Sequence, residues 1–210
     1  MVKLYVEGGG DSNALRTACR EGFSTFITKA GLSKRPRVVA CGSRADAFNA
    51  FRTAVENGDE ALLLVDSEAV VADEYQRPED SPMQWNPWAH LKQRAGDGWN
   101  KPGASSNTDC HLMVQCMENW FLADGDALAR FFGQGFRRNA LPSTNNMVES
   151  IEKFAVYRHL QQATHGSQTK GEYGKGEHSF KLLAAIDPAR VMAASPWAKR
   201  FIDVLKQKLS

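Results

Sequence analysis

The sequence has no long apolar run, and this removes membrane-spanning proteins from consideration. No segment approaches the roughly 18 consecutive apolar residues that a membrane span requires. The apolar start, residues 1–6, is too short and too soon interrupted by Glu7 to be a signal peptide. We therefore expect a cytoplasmic protein with no membrane partner.

Cysteine is sparse, and its spacing argues against a disulfide framework or a zinc site. The chain has four cysteines, with no Cys-x-x-Cys pair and no cysteine–histidine spacing typical of zinc ligands. We expect them to be small buried hydrophobic residues in a reducing compartment. They are Cys19, Cys41, Cys110 and Cys116.

Two nucleotide-binding motifs are also missing. The glycine-rich stretch after the first apolar run lacks the G-x-x-x-x-G-K-[ST] pattern of a P-loop, and G-x-G-x-x-G does not occur. A P-loop nucleotide site and a dinucleotide site are therefore not expected.

Net charge is small, but it is unevenly distributed along the chain. The formal net charge is +2; residues 1–124 carry 13 Lys and Arg against 17 Asp and Glu (13 − 17 = −4), and residues 125–210 carry 13 against 7 (13 − 7 = +6). The basic second part could contact a polyanion, although ordinary solvated helices are often equally basic.

What the sequence does contain is a regular alternation of short apolar runs and amphipathic helices. Apolar runs at 3–6, 37–41, 61–65 and 111–116 predict four buried strands, and helical spacing with serine caps at Ser12 and Ser43 predicts the first two connecting helices. This order predicts an α/β fold with a parallel sheet of about four strands and right-handed crossovers.

The rest of the chain divides into an insertion and a helical end. Residues 70–109 are irregular and aromatic, and they form either a lid or binding loop beside the site or an excursion that its tryptophans pack onto the domain. A helix is predicted from Met117 to Phe132, and further helices over 148–163, 178–186 and 196–209. We expect a metal-binding domain over 1–132, with the helical region 133–210 packed on it.

Acidic residues follow two of the predicted strands. Glu7 comes directly after the first strand and precedes a turn that ends in Asp11, and Asp66 and Glu68 follow the third strand. Carboxylates at the carboxyl ends of parallel strands lie in the crevice where open α/β sheets bind ligands. Hard oxygen ligands suit Mg²⁺ or Mn²⁺, so these three residues are the candidate metal ligands.

Glycines follow Glu7 and would allow a sharp turn and the close approach of a phosphate. Gly8 and Gly9 are therefore candidate substrate-binding residues. The alternative is that Glu7 only begins a surface turn. Similarly, Glu118 opens a helix, where it is either a fourth metal ligand or a first-turn acid stabilised by the helix dipole.

Four basic side chains are candidate phosphate-binding groups. Arg44 lies at a predicted helix start, and Lys175, His178 and Lys181 lie in or beside a predicted C-terminal helix. For the histidine and lysines, a solvated helix face is the alternative.

Five segments in order resemble a known family. A strand that ends in Glu and a glycine turn, followed by a strand that ends in Asp-x-Asp or Asp-x-Glu, resembles the Toprim fold of topoisomerases, primases and OLD-type nucleases. More closely, the chain resembles a bacterial Toprim-like family, some members of which are effectors of anti-phage systems and are partnered with an ABC-type ATPase. The matching segments are Val6–Gly8, Cys41–Arg44, Asp66–Glu68, Glu118–Asp124 and Lys175–Pro188. Glu68 stands where Asp is usual, and its longer side chain can still bind a metal.

The resemblance implies a metal-dependent nuclease that cleaves DNA or tRNA with Mg²⁺ or Mn²⁺, acts as a toxic effector under an ATPase partner, and could form a homodimer. Glu7, Asp66 and Glu68 would be its catalytic and metal-binding residues. Two alternatives remain: a catalytically silent nucleic-acid-binding or regulatory subunit, and a small-molecule phosphotransferase or phosphatase.

Overall fold

A four-stranded parallel sheet forms the centre of the molecule. The computed structural model describes residues 1–10, 12–143 and 147–210. The strands lie in the order β2-β1-β3-β4, and each neighbouring pair is parallel. The predicted α/β class with about four parallel strands is therefore confirmed. The strands are β1 (Lys3–Val6), β2 (Arg37–Ala40), β3 (Ala61–Asp66) and β4 (Cys110–Met113).

Helices flank the sheet, and the described C-terminal part contains helices and turns but no strand. Short 3-10 turns connect several of them. In the described residues the α-helices are α1 (Asn13–Lys29), α2 (Arg44–Glu56), α3 (Pro87–Gln93), α4 (Met117–Leu122), α5 (Gly125–Phe132), α6 (Lys153–Thr164), α7 (Ser179–Ala185), α8 (Pro188–Ala194) and α9 (Pro196–Leu209).

The first two helices begin where the sequence predicts. The Ser12 side chain accepts a hydrogen bond from the backbone N–H of Leu15, and the Ser43 side chain accepts one from the N–H of Asp46. Each serine satisfies a backbone donor that the first helical turn leaves without a partner. Both caps directly follow the glycine turns at the carboxyl edge of the sheet, so they fix the direction in which the chain leaves the candidate site.

The insertion between β3 and β4 packs onto the domain through its tryptophans. The Trp99 ring stacks on Phe48 of α2 with centroids 4.5 Å apart, and Trp88 packs against Phe51 at 5.8 Å. Trp85 contacts Trp197 of α9 at 4.9 Å. The packed alternative, rather than an open lid, therefore describes this segment.

The C-terminal half differs from the predicted helices in three places. The helix predicted from Met117 to Phe132 is broken, because the Asp124 side chain caps α5 by accepting from the N–H of Ala127. The helix predicted from 148 starts at Lys153, after a 3-10 turn. Helix α8 was not predicted, although Pro188 is a common first residue of a helix.

Two hydrophobic clusters cover the two faces of the sheet. One joins β1 and α1 to α4 and the C-terminal helices, and the other joins the opposite face to α2, the insertion and Trp197. At the β4 edge, the buried guanidinium of Arg200 donates to the carbonyl of Cys110 at 3.0 Å. The C-terminal helix therefore satisfies a backbone acceptor of the edge strand.

The described residues contain neither a disulfide bond nor a helix that could span a membrane. All four cysteines are free, and three of them are buried, with Cys41 partly exposed. Over the described ranges, none of the helices combines the length and apolar character that crossing a bilayer demands.

Candidate functional site

The carboxyl ends of β1 and β3 bring the three predicted acids together. The strands are hydrogen-bonded neighbours with Val6 opposite Leu64, so Glu7 and Asp66 leave the same edge of the sheet. One carboxylate oxygen from each of Glu7, Asp66 and Glu68 can be chosen so that all three lie within 4.8 Å of one another. We call these three residues the acidic cluster. Asp11, the other acid of the first turn, lies outside the described residues.

Two glycine turns beside the cluster approach each other closely. The backbone N–H of Gly8 donates to the carbonyl of Gly42 at 2.9 Å, and the N–H of Gly42 donates back at 2.8 Å. Gly8 has φ +127°, and a Cβ there would lie 3.0 Å from the Phe180 ring; at Gly9, with φ +89°, it would lie 3.0 Å from the Cα of Arg16. The site therefore requires glycine at both positions, and the Gly8 N–H is already engaged within the protein.

Backbone donors hold the two inner carboxylates. The N–H of Asp66 donates to Glu7 Oε2 at 3.1 Å, and the N–H of Met117 at the start of α4 donates to Asp66 Oδ1 at 2.8 Å. Burial, and then the charges of Glu7 and Glu118, raise the pKa of Asp66 well above its ordinary value. Burial also raises the pKa of Glu7, although Arg44 opposes this.

Glu68 is the outer member of the cluster, and Lys153 neutralises it. The Lys153 ammonium lies 2.5 Å from Glu68 Oε1 and 3.4 Å from Asp66 Oδ2. Burial alone would raise the pKa of Glu68, but the hydrogen bond and charge of Lys153, together with Arg44 and Arg94, lower it overall. The surroundings therefore shift the pKa values of Glu68 and Asp66 in opposite directions.

Two arginines border the cluster, and Asp97, whose side chain is 4% exposed, contacts both. Arg44, at the start of α2, lies 3.6 Å from Glu7 Oε2 and donates to the backbone carbonyl of Asp66. Arg94, from the insertion, lies 3.9 Å from Glu68. Asp97 accepts from Arg44 at 2.5 Å and contacts Arg94 at 3.0 Å. The insertion thus supplies a cation to the site and orients a second one.

Glu118 lies beside the cluster rather than in it. It is fully buried, and its carboxylate accepts hydrogen bonds from the hydroxyls of Tyr157 at 3.1 Å, Tyr173 at 3.0 Å and Ser179 at 3.2 Å. Burial, and then the Glu118 charge, raise the pKa of both tyrosines, so their hydroxyls remain donors. The three hydroxyls satisfy the buried carboxylate of Glu118.

A cavity of about 260 Å³ opens between the glycine turns and the start of α7. Glu7, Asp66 and Glu118 line one side, and Lys175 lines the other. The Lys175 ammonium donates to the Tyr157 hydroxyl at 3.0 Å. Of the predicted phosphate-binding residues, Gly8, Gly9 and Lys175 line this cavity, and Arg44 contacts the cluster from the other side.

The structure does not bring His178 and Lys181 to this cavity. The His178 ring is buried against Phe132 with centroids 5.4 Å apart, and its Nδ1 accepts from the N–H of Gly174 at 3.0 Å. Lys181 is exposed on α7. The solvated alternative therefore describes Lys181, but it is wrong for His178, whose ring is buried.

Sequence reasoning missed Lys153, Arg94 and Asp97. Lys153 is 85 residues from Glu68 along the chain and is the first residue of α6, so no local spacing connects the two. Arg94 and Asp97 lie in the irregular insertion, where periodicity gives no orientation. Only their proximity in sequence to the third strand could have drawn attention to them.

The donor set of the acidic cluster fits a hard divalent cation. Three carboxylates and no nitrogen or sulfur ligand make up the group, which is the chemistry of Mg²⁺ or Mn²⁺ sites rather than of zinc sites. The ammonium of Lys153 already lies against two of these carboxylates, so the cluster attracts positive charge.

Comparison with known proteins gives one match. A family model described as "Domain of unknown function (DUF4276)" matches residues 6–206. Searches of curated proteins and of solved structures returned no match. Because the match covers nearly the whole chain, this protein belongs to the DUF4276 family.

Proposed function

We propose that this member of the DUF4276 family is a metal-dependent nuclease that cleaves phosphodiester bonds of DNA or RNA. The observation that carries the proposal is the acidic cluster at the carboxyl ends of two neighbouring parallel strands, bordered by Arg44, Arg94 and Lys153. Carboxylates that can hold a cation, next to side chains that can hold phosphate oxygens, are the parts that phosphoryl chemistry needs. The resemblance to Toprim nucleases supports the same reaction class.

Glu7, Asp66 and Glu68 would hold the metal ion. Bound Mg²⁺ or Mn²⁺ supplies Lewis acidity toward a phosphate and lowers the pKa of water. Glu118 accepts hydrogen bonds from three hydroxyl groups, and its role in this proposal is to hold Tyr157 and the start of α7 at the cavity wall.

The protein's own cations would bind and orient the scissile phosphate. Arg44 and Arg94 present guanidinium groups that can form paired hydrogen bonds to phosphate oxygens. Asp97 keeps both in place, so little side-chain entropy is lost on binding. In an alternative arrangement Asp66 and Glu68 alone would hold the metal ion, and Glu7, which lines the cavity, would act as general base or acid.

One observation favours the second candidate, a silent binding or regulatory subunit. Lys153 pairs with Asp66 and Glu68, so protein cations alone can stabilise these two carboxylates. In a silent subunit this ion pair would be purely structural. Activity assays therefore need a variant that separates metal-dependent turnover from folding.

The test is cleavage of DNA, total tRNA and other RNA with Mg²⁺ or Mn²⁺, each against EDTA. We expect metal-dependent cutting by the wild-type protein and a loss of at least about 100-fold in Glu7→Gln, which keeps the acceptor for the Asp66 N–H but removes the charge. Glu21→Gln, the same change at an exposed position of α1, is the matched control and should cut like the wild type.

Inert but folded wild-type and variant proteins would overturn the isolated-nuclease proposal and favour the silent subunit. Cleavage of free nucleotides alone would instead indicate a phosphatase.

The resemblance supports a wider proposal, that the protein is a cytoplasmic toxic effector controlled by an ABC-type ATPase partner and that it could act as a homodimer. If so, expression of the wild-type chain alone should slow bacterial growth, and expression of Glu7→Gln should not. Equal growth of the two strains at equal protein levels would argue against toxicity.

A further inference from the structure

The groove on the outer side of the acidic cluster combines charged side chains with exposed apolar ones. It has a volume of about 570 Å³, and its lining includes the charged residues Glu68, Glu152 and Lys153 together with Val70, Phe154 and Tyr157. Glu68 belongs to the acidic cluster, so the groove is continuous with the proposed reaction site.

Two large apolar side chains that line this groove, Phe154 and Val70, are exposed to solvent. Phe154 is 83% exposed and Val70 is 56% exposed, and both line this groove. Of the four exposed large hydrophobic residues in the described part of the chain, the other two are Met1 and Met147. An exposed apolar surface that borders a polar site marks a binding surface rather than a core.

Hydrogen bonds from two buried side chains hold the backbone around Phe154. The side-chain amide of Asn119 donates to the carbonyls of Val148 and Ile151, each at 2.8 Å. Gln115 Oε1 accepts from the N–H of Lys153 at 3.3 Å. The first turn of α6 therefore presents the Phe154 ring from a fixed position.

We propose that this groove binds an unpaired base of the nucleic-acid substrate, stacked on Phe154. The inference rests on the proposed nuclease function and narrows its substrate to single-stranded or looped nucleic acid. Lys153 and Phe154 are consecutive residues, with the ammonium on the acidic cluster and the ring over the groove. A phosphate beside Lys153 and a base on Phe154 match the charged and the flat apolar parts of one nucleotide.

Stacking also explains why the substrate would be unpaired. A base inside a duplex has both faces covered by its neighbours, whereas a base in a single strand or loop can place one face on an aromatic ring. A volume of about 570 Å³ lies within the range of natural ligand sites.

The experiment measures binding of a single-stranded oligonucleotide that contains 2-aminopurine, whose fluorescence falls when it stacks. It is run in EDTA and in Ca²⁺, on wild type, Phe154→Ala, Phe154→Trp and the control Met147→Ala, which truncates another exposed apolar side chain outside the groove. We expect quenching with wild type, Phe154→Trp and Met147→Ala, and affinity roughly 5- to 150-fold weaker in Phe154→Ala. Thermal unfolding should be unchanged in all three variants.

Several results would overturn the inference: equal binding by Phe154→Ala, binding without quenching, no binding by the wild type, or preference for a fully paired duplex. If Phe154→Ala still binds the oligonucleotide but no longer binds a protein partner, the groove is a binding site for that partner instead.

Cleavage assays separate this inference from the proposed function. If the wild type cuts nucleic acid and Phe154→Ala cuts equally well, the stacking site is wrong and the nuclease stands. If nothing is cut but quenching depends on Phe154, the base site stands and the nuclease proposal fails.

Discussion

At the residue scale, Glu68 has the least favourable backbone conformation of the site. Its φ is +66°, which makes it the one residue other than glycine with positive φ in the described parts of the chain. For a residue with a Cβ this left-handed conformation costs roughly 1–2 kcal/mol. Such residues persist where the surroundings hold them, and they concentrate at functional sites. Here the conformation places a third carboxylate beside Glu7 and Asp66.

We expect Glu68→Gly to be more stable than Glu68→Ala by about 1 kcal/mol, because both lose the carboxylate but only glycine relieves the backbone. Free energies of unfolding from denaturant titration without metal give the comparison. At Glu21, in the exposed middle of α1, the order should reverse, with alanine better by about 1 kcal/mol. The same order at both positions would mean that the Glu68 conformation carries no strain.

The acids of the site and Arg44 could be predicted at this scale, but two other cations, Lys153 and Arg94, could not. Glu7, Asp66 and Glu68 follow apolar runs that parallel strands must bury, so neighbouring strand ends bring them together. Lys153 and Arg94 reach the cluster only through the packing of α6 and of the insertion. Side chains that meet by tertiary packing leave no periodic pattern in a single sequence.

At the element scale, a buried carboxylate joins the turn before α6 to the start of α9. Glu149 Oε1 accepts from the Ser195 hydroxyl and from the backbone N–H of Trp197 at 2.9 Å. Burial raises the pKa of Glu149 to about 7, although these two hydrogen bonds oppose the shift. The carboxyl therefore binds its proton more tightly in the folded chain than in the unfolded chain.

The contribution of Glu149 to stability is therefore complete below its unfolded pKa, near 4.5, and is lost as pH rises to about 7. The loss is at most about 3 kcal/mol, at 1.36 kcal/mol per pKa unit. We expect Glu149→Gln, which keeps the acceptor, to match the wild type at pH 4.5 and to unfold at higher denaturant at pH 8. Denaturation of both proteins across this range is the measurement, and a difference that does not vary with pH would contradict it.

Elements with local signals were predicted well, and elements set by tertiary contacts were not. The serine caps of α1 and α2 bind a backbone N–H in the first turn of their own helix, so a short stretch of sequence is enough to predict them. The break before α5 depends on Asp124, which also accepts from the N–H of Asp187 at 2.9 Å and pairs with Arg190 at 3.3 Å. Those partners are more than sixty residues away, so the apolar pattern from Met117 onward gave no reason to end the helix.

At the scale of the whole molecule, the C-terminal helices share a core with the first part of the chain. The cluster on one face of the sheet contains Leu4 and Phe23 together with Leu183 and Phe201. At the contact of α1 with α7, a Cβ on Gly22 would lie 2.7 Å from the carbonyl oxygen of Phe180. Residues 133–210 therefore complete the hydrophobic core rather than form a separate one.

A shared core should make the whole chain unfold as one unit. We expect Gly22→Ala to lower the free energy of unfolding by about 1–3 kcal/mol, despite the roughly 1 kcal/mol by which alanine is favoured in helices. Tryptophan fluorescence and far-UV circular dichroism should report the same single, shifted transition. Gly103→Ala, where an added Cβ meets no atom within 4 Å, should leave it in place.

Two transitions, only one of them shifted by Gly22→Ala, would instead mean that the helical region folds independently. The cooperative outcome also bears on the site, because Lys153 and Lys175 come from the C-terminal region and the acids from the first part. If the two parts unfold together, the backbone segments that carry Lys153 and Lys175 cannot separate from the acids without loss of the fold. Any control of activity would then have to act on access to the site rather than on its assembly.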